Sequence, residues 1–521
     1  MKTLFLNGKV FCGKNKFTDA VGFDDKTGKI IFTGSAAQAA VIKNNYSEVI
    51  DLNKRLVIPS FSDGHCHFIE GSLLNSRLNL RNAFTKKDFS DGIRNYRINN
   101  NSNWICGGYF SESNFLEKIH PDKYFLDEIC SDVPVIISRF DCHSAFANSK
   151  ALEISGIAER ENDFTSFEIV KDSKGHFTGE LKERAMEFVL DKIPQSSLAE
   201  RTAAVLKEQS VLHKFGITSI SDITLPEDLE IYKELIRTDR LNLRVDSRLP
   251  FSGFGNIEKI KKEFSGISGL IKFSSLKAFY DGSLSSRTAY MHSNYKNSLN
   301  NGLRTEYVNS GEFEKAAFEI DKAGYQMSVH AIGDKAVSEL LDLNEELIRR
   351  NGSRDRRFRI EHAQHIAEKD FKRFRDLNVI ASVQPAHLFS DAKTASEILN
   401  DFSSEHNYKK LIETGARVCF GTDFPIVGES PFETIHFAVT RKATGFPDGF
   451  ITENCISVED CIIAYTSENA FAAFDENEFG TIQPGKSADL IVLEDDILEI
   501  KADEIINAKA GMTYFRGKRV Y

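Results

Sequence analysis

Two histidines one residue apart, His65 and His67, close the run Val57-Ile58-Pro59-Ser60-Phe61-Ser62-Asp63-Gly64-His65-Cys66-His67. The apolar, β-branched start of the run reads as a buried strand. Gly64 lets the chain turn at the carboxyl end of that strand, where both imidazoles can converge. Neutral imidazole is a ligand for zinc and its neighbours. The competing reading is two loop histidines with no shared task, and the pair alone does not decide between them.

Four more residues with metal or proton chemistry stand at or near the ends of similar runs. Lys277 lies in Leu276–Asp281, His330 closes Tyr325–His330, His362 closes Phe358–His362 and Asp423 closes Arg417–Asp423. Three further strand-like runs are Gly216–Asp222, Leu241–Ser247 and Val379–Gln384. Helical spacing of apolar positions marks Ala199–Lys214, Pro226–Ile236, Gly311–Ala323, Lys335–Arg350 and Glu368–Leu377 between them. Eight strands alternating with helices predict an α/β fold, a (β/α)8 TIM barrel over residues 56–478. Such barrels carry their chemistry at the carboxyl ends of the strands, and all six candidates fall at or near such ends.

Residues 68–200 are too many for a loop and are expected to form an inserted subdomain over the barrel mouth. Residues 1–55 and 479–521 alternate short strands with turns. Each part is small for a core of its own, so together they are expected to build one small β-sandwich from both chain termini.

The 521 residues carry a net charge of -10. That balance argues against nucleic acid or an anionic membrane as the main partner. The first residues lack a signal-peptide core, and no run reaches transmembrane length. The eight cysteines are scattered without CxxC pairing, which fits reduced thiols in a cytoplasm. A small-molecule substrate is expected; homo-oligomerisation is left open.

The ordered motifs resemble the amidohydrolase superfamily of metal-dependent hydrolases, in its YtcJ-like branch, which is similar to N-substituted formamide deformylases. The resemblance rests on Asp63-Gly64-His65-Cys66-His67, Gly216-Ile217-Thr218-Ser219, Lys277 to Ala289, Val329-His330-Ala331-Ile332-Gly333-Asp334, Glu361-His362-Ala363-Gln364, Gly421-Thr422-Asp423-Phe424-Pro425 and Gly480 to Leu490. It runs essentially end to end. Ser60 stands where the family usually has Gly, and Gly64 where Ala is commoner; both are small, so neither is expected to disturb the site.

The resemblance implies a centre of one or two divalent ions, zinc by preference, with iron, nickel or manganese as substitutes. His65, His67 and Asp423 would hold one ion, and His330 and His362 the other. Lys277, carbamylated by carbon dioxide, would bridge them; Lys272 is the weaker substitute. Asp423 would also carry protons between water and the leaving amine. His143 in the insert, Arg287 after the Asp-Gly-Ser-Leu run and His387 after the seventh strand are candidate substrate contacts, with Asp391 beside the last. The expected activity is metal-dependent hydrolysis of a non-peptide carbon–nitrogen bond, in an amide or N-substituted formamide. The alternatives are a single-metal deaminase of a ring amidine and a catalytically inactive scaffold of the same fold.

Overall fold

The eight apolar runs become eight parallel strands of one sheet, paired in chain order. They are β1 (Phe61–Cys66), β2 (Ile217–Ile223), β3 (Arg244–Pro250), β4 (Ser275–Phe279), β5 (Gln326–Ala331), β6 (Arg359–His362), β7 (Ile380–Val383) and β8 (Arg417–Phe420). The computed structural model describes residues 1–100, 103–110, 115, 121–139 and 143–521. All six residues of β1 and all four each of β6 and β7 are buried. Burial on both faces is why these strands read as apolar runs rather than as alternating ones.

The sheet closes on itself just past the end of β8. The Asp423 N–H donates to the His65 carbonyl at 2.7 Å, and the His67 N–H donates to the Phe424 carbonyl at 2.7 Å. Thr422 reinforces the seam, its N–H donating to Asp63 Oδ1 at 3.0 Å and its hydroxyl to Asp63 Oδ2 at 2.5 Å. Asn469, on the helix Ser467–Ala472, donates from Nδ2 to the carbonyls of both Ser62 and Phe420.

Helices lie where the 3.6-residue pattern places them. Glu312–Lys322 buries Phe313, Ala317 and Ile320, and Asp334–Asn351 buries Ala336, Val337, Leu340, Leu341 and Leu347. Leu198–Lys214 precedes β2 and Leu229–Arg237 follows it. No described helix is long and apolar enough to cross a membrane.

The run Val57–His67 is two strands rather than one. Leu56–Pro59 pairs with Lys9–Gly13 and Leu490–Leu493, while β1 pairs with β2. The chain changes sheets at Ser60, whose N–H donates to the Asp489 carbonyl; the next N–H, of Phe61, donates to the Gly216 carbonyl. The run Leu241–Ser247 is also displaced, because Asn242 is tied by both backbone groups to Gln209 and His213 before β3 begins at Arg244.

The chain termini form a four-stranded sheet, in the order 29–34, 20–24, 2–6 and 48–51, and a six-stranded one, in the order 518–519, 510–515, 490–493, 56–59, 9–13 and 16–18. Phe5, Val10, Phe23, Val57, Leu490, Val492 and Tyr514 share one core between residues from both ends of the chain. Residues 70–205 are a separate compact unit. Its six-stranded sheet runs 169–171, 177–182, 144–147, 135–139, 105–110 and 78–79.

Gly64 is less indifferent to Ala than its small size suggests. A Cβ there would lie 2.2 Å from Asn469 Oδ1 and 2.7 Å from the Phe420 carbonyl oxygen, against the barrel seam. Gly64→Ala is therefore expected to cost about 1–3 kcal/mol of stability by overpacking. An unchanged denaturation midpoint in the purified variant would contradict this.

Candidate metal centre

Strand ends bring the sequence candidates to one place. His65, next to last in β1, is fully buried, and its Nε2 lies 3.2 Å from Asp423 Oδ1. His67 Nε2 stands 3.5 Å from the same oxygen. The rings of His65 and His362 are 5.1 Å apart, and those of His362 and His330 are 4.4 Å apart. Lys277, buried on β4, points Nζ to within 3.5 Å of His65 Nε2. One ligand atom each from His65, His362 and Asp423 lies within 4.8 Å of the others.

Two of these residues adopt left-handed backbone conformations, His362 with φ 72° and Asp423 with φ 60°. Such non-glycine conformations concentrate where a site needs a side chain aimed against the chain's preference. The Nδ1 atom of His362 is buried and has no hydrogen-bond partner among the described residues. A buried imidazole nitrogen without a partner, facing a carboxylate and further imidazoles, fits a divalent ion of the zinc type.

The electrostatics leave these groups in ligating forms. Burial, followed by the charge of Lys277, brings the pKa of His330 down to about 4. Burial, with His330 beside it, puts His362 well below the ordinary imidazole value. Both rings are therefore neutral near pH 7. Burial pushes the Asp423 carboxyl up, but His65 and His67 outweigh it and hold the group well below its usual range, as a carboxylate. For Lys277, burial lowers the pKa to about 8, against the opposing pull of Glu361 and Asp423.

Asp281, two residues past the end of β4, accepts N–H bonds from Tyr290 at 2.8 Å, Gly333 at 2.9 Å and Ile332 at 3.0 Å. It thereby ties the loop after β4 to the loop after β5. His330 Nε2 lies 3.1 Å from the Gly282 carbonyl oxygen and 3.6 Å from Asp281 Oδ1, at this junction rather than within the tight three-residue group.

The remaining candidates scatter. His387 lies beside the centre, with Nε2 3.9 Å from Asp423 Oδ2 and its ring stacked 6.1 Å from that of His362. Asp391, one turn further along the following helix, accepts from Gln364 at 3.0 Å. Arg287 is exposed, with φ 55°. His143 is an exposed residue of the 70–205 unit and pairs with Glu183 at 3.3 Å; its neighbours Asp141 and Cys142 lie outside the described residues. Lys272 is engaged by Asp475 and the Ala473 carbonyl, so it is no substitute for Lys277.

Sequence reasoning missed the supports of the site. Glu361 pairs with Arg359, as the two-residue spacing suggests, but its other oxygen meets His65 Nδ1 at 2.5 Å. Arg248 and Asp222 also went unremarked. Asp222 accepts the N–H of Phe68 at 2.7 Å and so holds the chain just after His67. The available signal was a charged residue inside an otherwise apolar strand.

A family model described as the amidohydrolase family matches residues 48–521. Protein LONG AFTER FAR-RED 3 of Arabidopsis thaliana is 30% identical to this chain, over 99% of it and 91% of its own length. The putative amidohydrolase YtcJ of Bacillus subtilis is 28% identical, over 97% of this chain and 96% of its own. The N-substituted formamide deformylase of Arthrobacter pascens is 24% identical, over 94% and 93% respectively. A solved structure of an uncharacterized metal-dependent hydrolase from Pyrococcus furiosus superposes with a TM-score of 0.77 at 23% identity. It covers 96% of this chain and 100% of that one, a likeness of fold.

The depressed pKa of Lys277 has a thermodynamic sign. Between about 8 and the ordinary 10.5 the unfolded chain binds the proton and the folded chain does not, so this residue makes folding more favourable as pH rises through that window. At pH 7 the buried ammonium is a cost. Lys277→Met is expected to stabilise the metal-free protein at pH 7 by about 1–3 kcal/mol and to flatten the rise in stability above pH 8. Chemical denaturation across pH would measure both, and a variant that tracks the wild type would contradict the assignment.

Proposed function

The chain belongs to the amidohydrolase family, and from that premise we propose that it hydrolyses a carbon–nitrogen bond outside peptides, in an amide or N-substituted formamide, with a divalent metal, zinc by preference. The observation that carries this reading is the convergence of His65, His362 and Asp423 at the carboxyl end of the barrel. The N-substituted formamide deformylase among the relatives supports the choice of bond. Free cysteines at positions 12, 66, 106, 130, 419, 455 and 461 support a cytoplasmic location.

His65, His67, His330, His362 and Asp423 would hold the metal, which when bound lowers the pKa of water towards ~7 and polarises a carbonyl. Asp423, ionised between two imidazoles, can accept a proton from the attacking water and return it to the leaving nitrogen. Its approach to His387 leaves that imidazole beside the reacting atoms, as a substrate contact. Two ions close together need a shared anion. Lys277 can supply one as a carbamate, and its lowered pKa gives the neutral amine that carbon dioxide requires.

One observation favours a second reading. Of the two sets of three close donor residues among the described residues, His65, His362 and Asp423 gather at the strand ends and Asp391, Glu405 and His406 form a separate set, while His330 turns to the Gly282 carbonyl. That arrangement suits a one-metal deaminase acting on a ring amidine, which has no need of a carbamylated Lys277.

The metal-replete protein is expected to hydrolyse at least one compound in a screen of N-formyl, N-acyl and cyclic amides. Asp423→Asn is expected to lower kcat by about 10²–10⁴. A fully metallated protein that cleaves none of these would refute the amide reading. Two ions per chain by elemental analysis favour the amide hydrolase, and one the deaminase. Lys277→Ala should abolish activity, and a short carboxylic acid in the buffer should partly restore it. Failure of rescue in a variant that still holds two ions would rule out the carbamate.

A further inference from the structure

Behind His65 stands a carboxylate with no route to solvent. Glu361, Arg248 and Arg359 are each 0% exposed, inside the barrel. One oxygen of Glu361 is crowded: Oε1 accepts from Arg359 Nε at 2.9 Å, from the Ser328 hydroxyl at 2.5 Å and from Arg248 Nη1 at 3.3 Å. The other oxygen, Oε2, lies 2.5 Å from His65 Nδ1. Arg359 is itself anchored, donating from Nη2 to the Gly64 carbonyl at 2.9 Å and to the Ser382 hydroxyl at 2.7 Å. Arg248 is also held, by Asp246 at 3.5 Å. Residues of β1, β3, β5, β6 and β7 thus fix one carboxylate in one orientation.

An ionised carboxylate only accepts hydrogen bonds. His65 must therefore carry its proton on Nδ1, which leaves Nε2 facing Asp423 and Lys277. We infer that Glu361 is a positioning residue for the metal centre, fixing the tautomer and the ring angle of His65 so that Nε2 serves as the ligand. The inference rests on the metal reading of the site. A partner carboxylate on the far nitrogen of a ligating histidine also raises the basicity of the near one.

Two substitutions separate positioning from mere packing. Glu361→Asp keeps the anion between the two arginines but withdraws it from His65. Glu361→Gln can present an amide N–H to Nδ1, which favours the tautomer with its proton on Nε2 and spoils the ligand. Zinc affinity is measured by competition with a chromophoric chelator, alongside the thermal transition of each metal-free protein. Both variants are expected to bind zinc ~10–100-fold more weakly than the wild type, and the Asp variant to keep the wild-type cooperative transition. Wild-type zinc affinity in a folded Asp variant would overturn the inference while leaving the metal reading intact. Loss of the fold in both variants would also overturn it, making Glu361 a core ion pair and nothing more. A wild-type protein that takes up no zinc overturns the metal reading and this inference with it.

Discussion

Closure of the barrel is the constraint on which the site depends. The first and last strands are far apart in sequence, and only their meeting brings His65 and His67 to Asp423. The two backbone hydrogen bonds that close the seam, from Asp423 to the His65 carbonyl and from His67 to the Phe424 carbonyl, belong to the candidate ligands themselves. Asp63 and Asn469 lock the same seam from the side. A parallel sheet has no edge once closed, so its strand ends are held by neighbours on both sides. Ligands placed there inherit that rigidity, which a metal site needs.

Charge is arranged in layers about this seam. Inside the barrel two arginines face Glu361 and Asp246. Towards the mouth, burial keeps His330 and His362 neutral, while His65 and His67 keep Asp423 ionised against the opposing effect of burial. Buried charges of this kind are costly unless each has a partner. Here Arg248, Arg356 and Arg359 each have a carboxylate within reach and the buried Arg441 donates to three backbone carbonyls, whereas Lys277 lies near Glu361 and Asp423 with no bond described to either. Its burial without a direct counter-ion is the physical reason for reading it as an amine awaiting chemistry rather than as a structural ammonium.

The barrel was legible because parallel strands buried on both faces leave continuous apolar runs, and all eight were visible in order. Membership of the amidohydrolase family was legible in the motifs that stand at their ends. What escaped notice was support rather than chemistry. Nothing local to Val57–His67 announces that the chain changes sheets at Ser60, because both halves are equally apolar; the switch is set by Asp489 and Gly216, distant in sequence. Gly64 looked interchangeable with Ala because its neighbours, Asn469 and Phe420, arrive only with the last strand and helix. Glu361 stands two residues from Arg359 on one strand, and strand alternation shows which residues share a face but not what crosses the barrel interior to meet them.

The measurement that tests the central claim most directly is anomalous X-ray diffraction at the zinc edge from crystals of the zinc-loaded protein. An anomalous peak is expected within bonding distance, ~2.0–2.2 Å, of nitrogen atoms of His65 and His362 and of a carboxylate oxygen of Asp423. Zinc bound at full occupancy elsewhere, with these three side chains ordered and unliganded, would contradict it.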